Sequence, residues 1–139
     1  MYYSAMRHLQ VACAIIERDG AVLATQRSTT MSLPLKWEFP GGKIAPGELP
    51  AECLRRELIE ELGIYITVGR ALSQHTHSYH NFTVTLHPFV CTIADGEITL
   101  HEHAAFSWLP PEELHTLDWA AADLPVIQTY TDSLKAAIT

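Results

Sequence analysis

The sequence lacks any long run of hydrophobic residues, although 47% of its 139 residues are apolar. No stretch approaches the roughly 20 consecutive apolar residues that a membrane-spanning helix needs. Residues 1–8 also lack the apolar centre of a secretory signal. We therefore expect a cytoplasmic protein that has no membrane partner.

Basic residues are few and scattered. Nine Lys and Arg stand against sixteen Asp and Glu, and the formal net charge is −7. Because polymeric nucleic acid is bound through clustered Lys and Arg, we expect no nucleic acid partner. An acidic protein still binds a small polyphosphate when a divalent cation bridges the two.

Cysteine is also scarce. Cys13, Cys53 and Cys91 are odd in number, widely spaced and set in apolar or helical segments. This usage argues against a disulfide framework and predicts free, buried thiols in a reducing compartment. The length predicts a single domain over residues 1–139. The expected assembly is a monomer or a homodimer, and the sequence does not favour either.

Apolar runs and turn residues predict the elements of the fold. The predicted strands are 9–17, 21–26, 64–73, 82–93 and 104–109. A loop over 28–36 leads to a short extended segment, Trp37–Pro40, and then to a turn at Gly41-Gly42. The predicted helices are 49–62, a short one from 110 to 114, and 124–138, which Asp123 is placed to cap. This order predicts the α/β class, with a mixed sheet covered by helices.

The first predicted helix carries an acidic cluster. Glu57, Glu60 and Glu61 are spaced by three and four residues, so they share one face. Closely spaced carboxylates call for a cation, and hard oxygen ligands suit Mg²⁺ or Mn²⁺. Arg56 can pair with one of these carboxylates and fix its orientation. An apolar stripe lies on a different face, so we expect the helix to pack inward and hold metal outward; the stripe comprises Ala51, Leu54, Leu58 and Leu62.

This stretch resembles the Nudix box at every defined position: Gly42, five residues, Glu48, seven residues, then Arg56 to Ile64. The resemblance extends to the MutT branch, which includes 8-oxo-dGTP diphosphatases and CTP pyrophosphohydrolases. The flanking segments that carry it are 24–27, 37–43, 108–109 and 122–127. The resemblance implies an α/β/α sandwich. It also implies a Mg²⁺-dependent hydrolase, with Mn²⁺ as an alternative, that converts a nucleoside triphosphate to the monophosphate and pyrophosphate.

The resemblance also implies roles for single residues of the box. Residues matching Glu60 and Glu61 are metal ligands, and the residue matching Glu57 is a ligand or the base that activates water. The carbonyl group matching Gly41 also touches metal. Residues matching Glu48 and Arg56 brace the motif. Glu102, in a later loop, is a second candidate for the base and for a metal ligand.

Five residues are candidates for substrate binding. Arg27 and Lys43 suit phosphate groups. Phe39 and Phe82 can stack on a base or belong to the core. Asp123 stands where the 8-oxo-dGTP enzyme has an Asn and the CTP-cleaving relatives an Asp, and a carboxylate accepts hydrogen bonds from base N–H groups.

The leading substrate prediction is an oxidised deoxynucleotide such as 8-oxo-dGTP. The alternative is CTP, dCTP or 5-methyl-dCTP, which Asp123 favours. Two further alternatives are a Nudix module that binds a nucleotide without hydrolysis, and a Nudix enzyme acting on a nucleotide sugar, ADP-ribose, a dinucleoside polyphosphate or capped RNA.

The histidines raise a separate metal hypothesis. His75, His77 and His80 form a spaced triplet, and His101 and His103 form a pair. On a strand, His75 and His77 would point the same way and could chelate Zn²⁺. With no Cys or acidic partner fixed nearby in the sequence, we favour histidines that are solvated or lie beside the substrate.

Overall fold

The computed structural model describes residues 7–138. Residues 1–6, which belong to the segment predicted to lack a secretory signal, lie outside this range. Two α-helices are described: α1 (Pro50–Leu62) and α2 (Leu124–Ile138). The described strands are β1 (Arg7–Arg18), β2 (Ala21–Gln26), β3 (Trp37–Glu38), β4 (Gly41–Lys43), β5 (Tyr65–Ala71), β6 (His75–Ser78), β7 (Phe82–Asp95) and β8 (Ala105–Leu109).

The strands form one mixed sheet with the order β3-β2-β1-β7-β5. β1 and β7 run parallel, whereas the other pairs of named strands are antiparallel. β4 pairs with β1, β6 with β7, and β8 with β2. The predicted α/β class with a mixed sheet is confirmed.

The central strand β1 divides the core into two layers because successive side chains point to opposite faces. Cys13 and Ile15 pack on one face with Val126 and Tyr130 of α2. On the other face Ala12, Ala14 and Ile16 pack with the apolar stripe of α1. Both helices therefore cover the sheet, one on each side.

Helix α1 begins and ends as the sequence predicts. Pro50 occupies the first turn, and Gly63 closes the helix with φ 68° in the left-handed region. Leu54, Leu58 and Leu62 are completely buried. The outward orientation predicted for the acidic cluster is wrong for one member, since Glu61 is only 7% exposed.

The predicted turn at Gly41-Gly42 is wrong: these residues form β4, which pairs with Val11 to Cys13 of β1. The close approach depends on glycine, because a Cβ at Gly41 would collide with the carbonyl oxygen of Ala12. β6, which pairs with β7, was not predicted as an element. The short helix after Pro110 is a 3₁₀ turn, Pro111–Thr116.

The predicted capping role of Asp123 is also wrong. Asp123 ends a 3₁₀ turn, Ala121–Asp123, that runs directly into α2, so it does not adopt the extended geometry of a cap. Its Oδ1 atom instead accepts a hydrogen bond from the backbone N–H of Phe39, at 3.2 Å.

The cysteines match their prediction, since Cys13, Cys53 and Cys91 are free and buried. No helix within residues 7–138 is long and apolar enough to cross a membrane.

Candidate active site

Arg56 organises the loop that leads into α1. It donates from Nε to Glu48 Oε2 at 2.8 Å and from Nη2 to Glu48 Oε1 at 2.9 Å. A third bond runs from Nη1 to Glu57 Oε1, at 2.8 Å. The bonds from Arg56, helped by the Ala45 N–H, lower the pKa of Glu48 to about 2. Arg56 thus ties the loop to the first carboxylate of the acidic cluster.

Gly42 provides the space for Glu57. A Cβ at this position would collide with the Glu57 carboxyl carbon, so the carboxylate lies directly against the β4 backbone. The Glu57 side chain is 16% exposed, and that of Glu60 is 56% exposed. Glu60 lies 3.8 Å from Arg56 Nη1. The three predicted metal ligands of α1 therefore range from buried to exposed.

Glu61 is the buried member of the cluster. Its Oε2 atom has no hydrogen-bond partner among the described residues. Burial raises the pKa of Glu61 to about 9, and the carboxylates of Glu57, Glu38 and Glu102 add to this effect. A carboxylate in this setting is stabilised either by a proton or by a cation.

Within residues 7–138, no three His, Cys, Asp or Glu side chains are already arranged around a common metal position. The chemistry of the acidic cluster nevertheless fits a divalent cation. It combines carboxylates from α1 with an orphaned buried oxygen on Glu61. Hard oxygen donors of this kind hold Mg²⁺ together with substrate phosphates.

The segment before Glu102 is fastened to the carboxyl end of α1. The N–H of His101 donates to the Glu61 carbonyl group at 3.1 Å, and its Nδ1 atom bonds the Glu60 carbonyl group at 2.7 Å. Glu102 is exposed, and its charge contributes to the raised pKa of Glu61. The later-loop candidate therefore lies within electrostatic reach of the acidic cluster.

A cavity of about 380 Å³, here called the central cavity, lies beside this cluster. Seven of the predicted site residues line it: Arg27, Phe39, Gly41, Lys43, Glu61, Phe82 and Asp123. The lining does not include Arg56, Glu57, Glu60 or Glu102. The cavity therefore joins one edge of the acidic cluster to the predicted substrate-binding residues.

Aromatic residues line the end of the cavity near β7. Phe82 stacks on Tyr79, with ring centroids 4.9 Å apart. Phe39 is 3% exposed and packs on Trp119, with centroids 4.8 Å apart, so it also serves the core. Sequence reasoning missed Tyr79, whose hydroxyl oxygen accepts the Ala122 N–H at 2.9 Å. Tyr79 lies among scattered polar residues before β7, so no hydrophobic periodicity marks it in the sequence.

Asp123 lies in the cavity wall and is 5% exposed. Burial raises the pKa of its carboxyl group well above the usual range, and the negative charge of Glu38 adds to the shift. The Phe39 N–H and Arg27 act in the opposite direction but do not cancel it. The environment of Asp123 therefore favours its protonated form.

Sequence reasoning also missed Glu38, which was noted only as part of a flanking motif. Its side chain reaches the central cavity and bonds both Arg27, at 2.7 Å, and His103, at 2.9 Å. A glutamate in a two-residue strand carries no spacing signal that would mark it.

The three histidines of the spaced triplet, His75, His77 and His80, lie in separate environments. His75 Nε2 bonds Thr129 Oγ1 at 2.7 Å. The His77 ring meets Tyr79 edge-on, with centroids 4.5 Å apart. His80 is exposed. The structure therefore gives His75 and His77 contacts with α2 and the aromatic wall.

A family model for the NUDIX domain matches residues 6–130. The CTP pyrophosphohydrolase of Escherichia coli K12 is 39% identical over 95% of this chain and 97% of its own length. The 8-oxo-dGTP diphosphatase of the same organism is 31% identical over 88% of this chain and 95% of its own length. Among solved structures, the MutT protein from Methanosarcina mazei Go1 superimposes with a TM-score of 0.85 at 24% identity, over 96% of this chain and 99% of that one. The chain therefore belongs to the Nudix family and is a hydrolase with nucleotide pyrophosphohydrolase activity.

Proposed function

We propose that this protein hydrolyses cytidine triphosphates, CTP or dCTP, to the monophosphate and pyrophosphate. The observation that carries this substrate choice is Asp123, a buried carboxyl group in the wall of the central cavity. The higher identity to the CTP pyrophosphohydrolase supports it. The proposal reverses the order of the two substrates that the sequence favoured.

The chemistry of a protonated Asp123 matches the edge of cytosine. A protonated carboxyl group donates through one oxygen and accepts through the other. Cytosine presents a ring nitrogen that accepts and an exocyclic amine that donates. The guanine edge carries two adjacent N–H donors, which an ionised carboxylate would satisfy better. The Tyr79–Phe82 pair offers an aromatic surface on which the base can stack.

The triphosphate would extend from the base towards β4 and the acidic cluster. Lys43 and Arg27 line this route and would contact phosphate oxygens. Glu57, Glu60, Glu61, Glu102 and the Gly41 carbonyl group would hold the divalent cation. When bound, Mg²⁺ neutralises phosphate charge and polarises the phosphorus centre under attack.

The residues of the chain would bring water to the β-phosphorus. Glu57 and Glu102 are the two candidates for the base that takes the proton of that water. Arg56 holds Glu57 at 2.8 Å and so sets the direction of its carboxylate. Attack at this phosphorus releases the nucleoside monophosphate, and the other product is pyrophosphate.

The test is steady-state turnover with Mg²⁺ against CTP, dCTP, 5-methyl-dCTP, dGTP, 8-oxo-dGTP and ADP-ribose, with products separated by chromatography. We expect the highest kcat/KM for a cytidine triphosphate, with monophosphate and pyrophosphate as products. A higher value for 8-oxo-dGTP would overturn the substrate choice and leave the reaction class standing.

A second candidate is 8-oxo-dGTP, which the similarity to the 8-oxo-dGTP diphosphatase favours. In that case Asp123 would act as an ionised acceptor of purine N–H groups.

For the reaction itself, Glu60→Gln should lower kcat by at least about 100-fold, because it removes a charged oxygen from the cation site. Its exposed position predicts an unchanged melting temperature. The matched control is Glu112→Gln, since Glu112 is exposed and lies outside the central cavity. Full activity in Glu60→Gln would contradict the proposed cation site.

A further inference from the structure

Glu38 connects two parts of the chain that are distant in sequence. Its Oε1 atom accepts a bond from Arg27 Nη1 at 2.7 Å, and its Oε2 atom accepts one from His103 Nε2 at 2.9 Å. Its backbone carbonyl group also accepts the hydroxyl of Thr25, at 3.1 Å. Glu38 is thus fixed at both carboxylate oxygens and at the backbone while it lines the central cavity.

The ring of His103 makes one hydrogen bond within the described residues, and that bond is to Glu38. Its side chain is 1% exposed. The Nδ1 atom has no hydrogen-bond partner within the described part of the chain, so the bond to Glu38 accounts for the polar contacts of the ring there. Burying an imidazole group costs solvation, and that cost is offset only where its polar atoms are paired. The bond to Glu38 therefore offsets this cost at Nε2.

Arg27 extends the connection into the loop over residues 28–36. Its Nε atom donates to the Ser32 carbonyl group at 2.5 Å and its Nη2 atom to Ser32 Oγ at 2.9 Å. Met31, Ser32 and Leu33 line the central cavity. Leu33 and Leu35 have φ angles of 50° and 63°, which leucine adopts only when its surroundings impose them.

Arg27 therefore holds one wall of the cavity with three of its five N–H donors. Two donors remain for the substrate. Their direction depends on Glu38, because a planar guanidinium group turns as a unit.

We propose that His103 is a positioning residue: by holding Glu38 it orients Arg27 and the loop wall at residues 31–33, and so sets the affinity for the triphosphate. This inference rests on the proposed function only for its kinetic readout. The competing explanation is that His103 merely fills buried space in the segment before β8, in which case its hydrogen bond would not matter.

The kinetic test compares three variants with the full-length protein. His103→Leu fills the space without a donor, His103→Gln restores an N–H donor, and Glu38→Gln keeps the shape and removes the charge. We expect His103→Leu and Glu38→Gln each to raise KM for the preferred triphosphate about tenfold, with kcat within about threefold. His103→Gln should recover most of this loss.

Coupling between the residues gives a second criterion. In the double variant, His103→Leu with Glu38→Gln, KM should be no higher than in the single variant with the higher KM, because both changes break the same connection. His87→Leu is the matched control, since His87 is half-buried and bonds Gln10 at 2.7 Å away from the cavity lining. Its KM should stay at the wild-type value.

A readout that needs no turnover separates this inference from the proposed function. In ¹⁵N-labelled protein, the Arg27 Nε–H signal, assigned with Arg27→Lys, should exchange slowly with solvent. Exchange should become at least about tenfold faster in His103→Leu and in Glu38→Gln, and should slow again in His103→Gln.

Unchanged Arg27 exchange in His103→Leu would overturn the proposal, whatever nucleotide the enzyme hydrolyses. An unchanged KM would do the same, as would His103→Gln behaving like His103→Leu. If His103→Leu fails to fold, His103→Phe, which fills the space of the ring without an N–H donor, replaces it in both the kinetic and the exchange comparison.

Discussion

Asp123 illustrates how burial can change what a single side chain recognises. Its identity as aspartate predicts an acceptor, whereas its surroundings raise its pKa and favour a carboxyl group that also donates. As pH rises through this raised pKa, the group loses its proton and its donor. We therefore expect the kcat/KM for CTP, relative to that for 8-oxo-dGTP, to fall as pH rises.

Asp123→Asn tests this interpretation, because an amide donates and accepts at every pH. The variant should keep kcat/KM for CTP within about threefold at neutral pH and should flatten the pH dependence of the substrate ratio. The ratio of the two kcat/KM values is used because enzyme groups whose titration affects both substrates equally cancel from it. A loss of two orders of magnitude in CTP turnover at neutral pH would mean that Asp123 acts ionised.

Gly42 is a second position where a single added atom, a Cβ, would change the site. In Gly42→Ala the new methyl group would displace the Glu57 carboxylate, so we expect kcat to fall by at least about 100-fold. Gly47→Ala, in the loop that follows β4, is the control, since a Cβ there meets nothing within 4 Å. Its positive φ of 77° should cost stability of about 1 kcal/mol without affecting Glu57. Equal activity in the two variants would contradict the role given to Gly42.

At the scale of elements, the sequence predicts best where one local pattern decides the structure. Helix α1 has an apolar stripe, a proline in its first turn and Gly63 at its end, and all three agree on its bounds. β4 was mistaken for a turn because two glycines usually mark one. Here Gly41 allows close packing against Ala12, and Gly42 allows it against Glu57. These contacts join segments that are distant in the sequence, so the local pattern does not contain them.

The residues of the site differ in the same way: some are marked by a local pattern and others only by long-range contacts. The carboxylates of α1 were predicted from spacing within one helix, because that spacing places them on one face. Glu38, Tyr79 and His103 come from β3, from the segment before β7 and from the segment before β8. Only the assembled sheet brings them to one cavity wall or to one hydrogen-bonded group, so their roles had no signal in the order of residues.

At the scale of the whole molecule, we expect the acidic cluster to make folding depend on pH and on cation binding. The pKa of Glu61 rises from 4.5 to about 9 on folding, so between these values the native state binds more protons than the unfolded chain. The contribution of Glu61 to the free energy of unfolding without metal therefore falls as pH rises across this window. Burial and neighbouring negative charge, which raise the pKa, are the physical cause.

We expect the protein in EDTA to lose on the order of 4 kcal/mol of unfolding free energy between pH 5 and pH 8 through Glu61. Mg²⁺ should restore more stability at pH 8 than at pH 5, because it takes the place of the proton and binds the native state. Glu61→Gln should remove most of this pH dependence and most of the Mg²⁺ effect. Urea unfolding at a series of pH values, with and without Mg²⁺, measures all three. A pH slope that is the same in Glu61→Gln and in the wild type would show that another group is responsible.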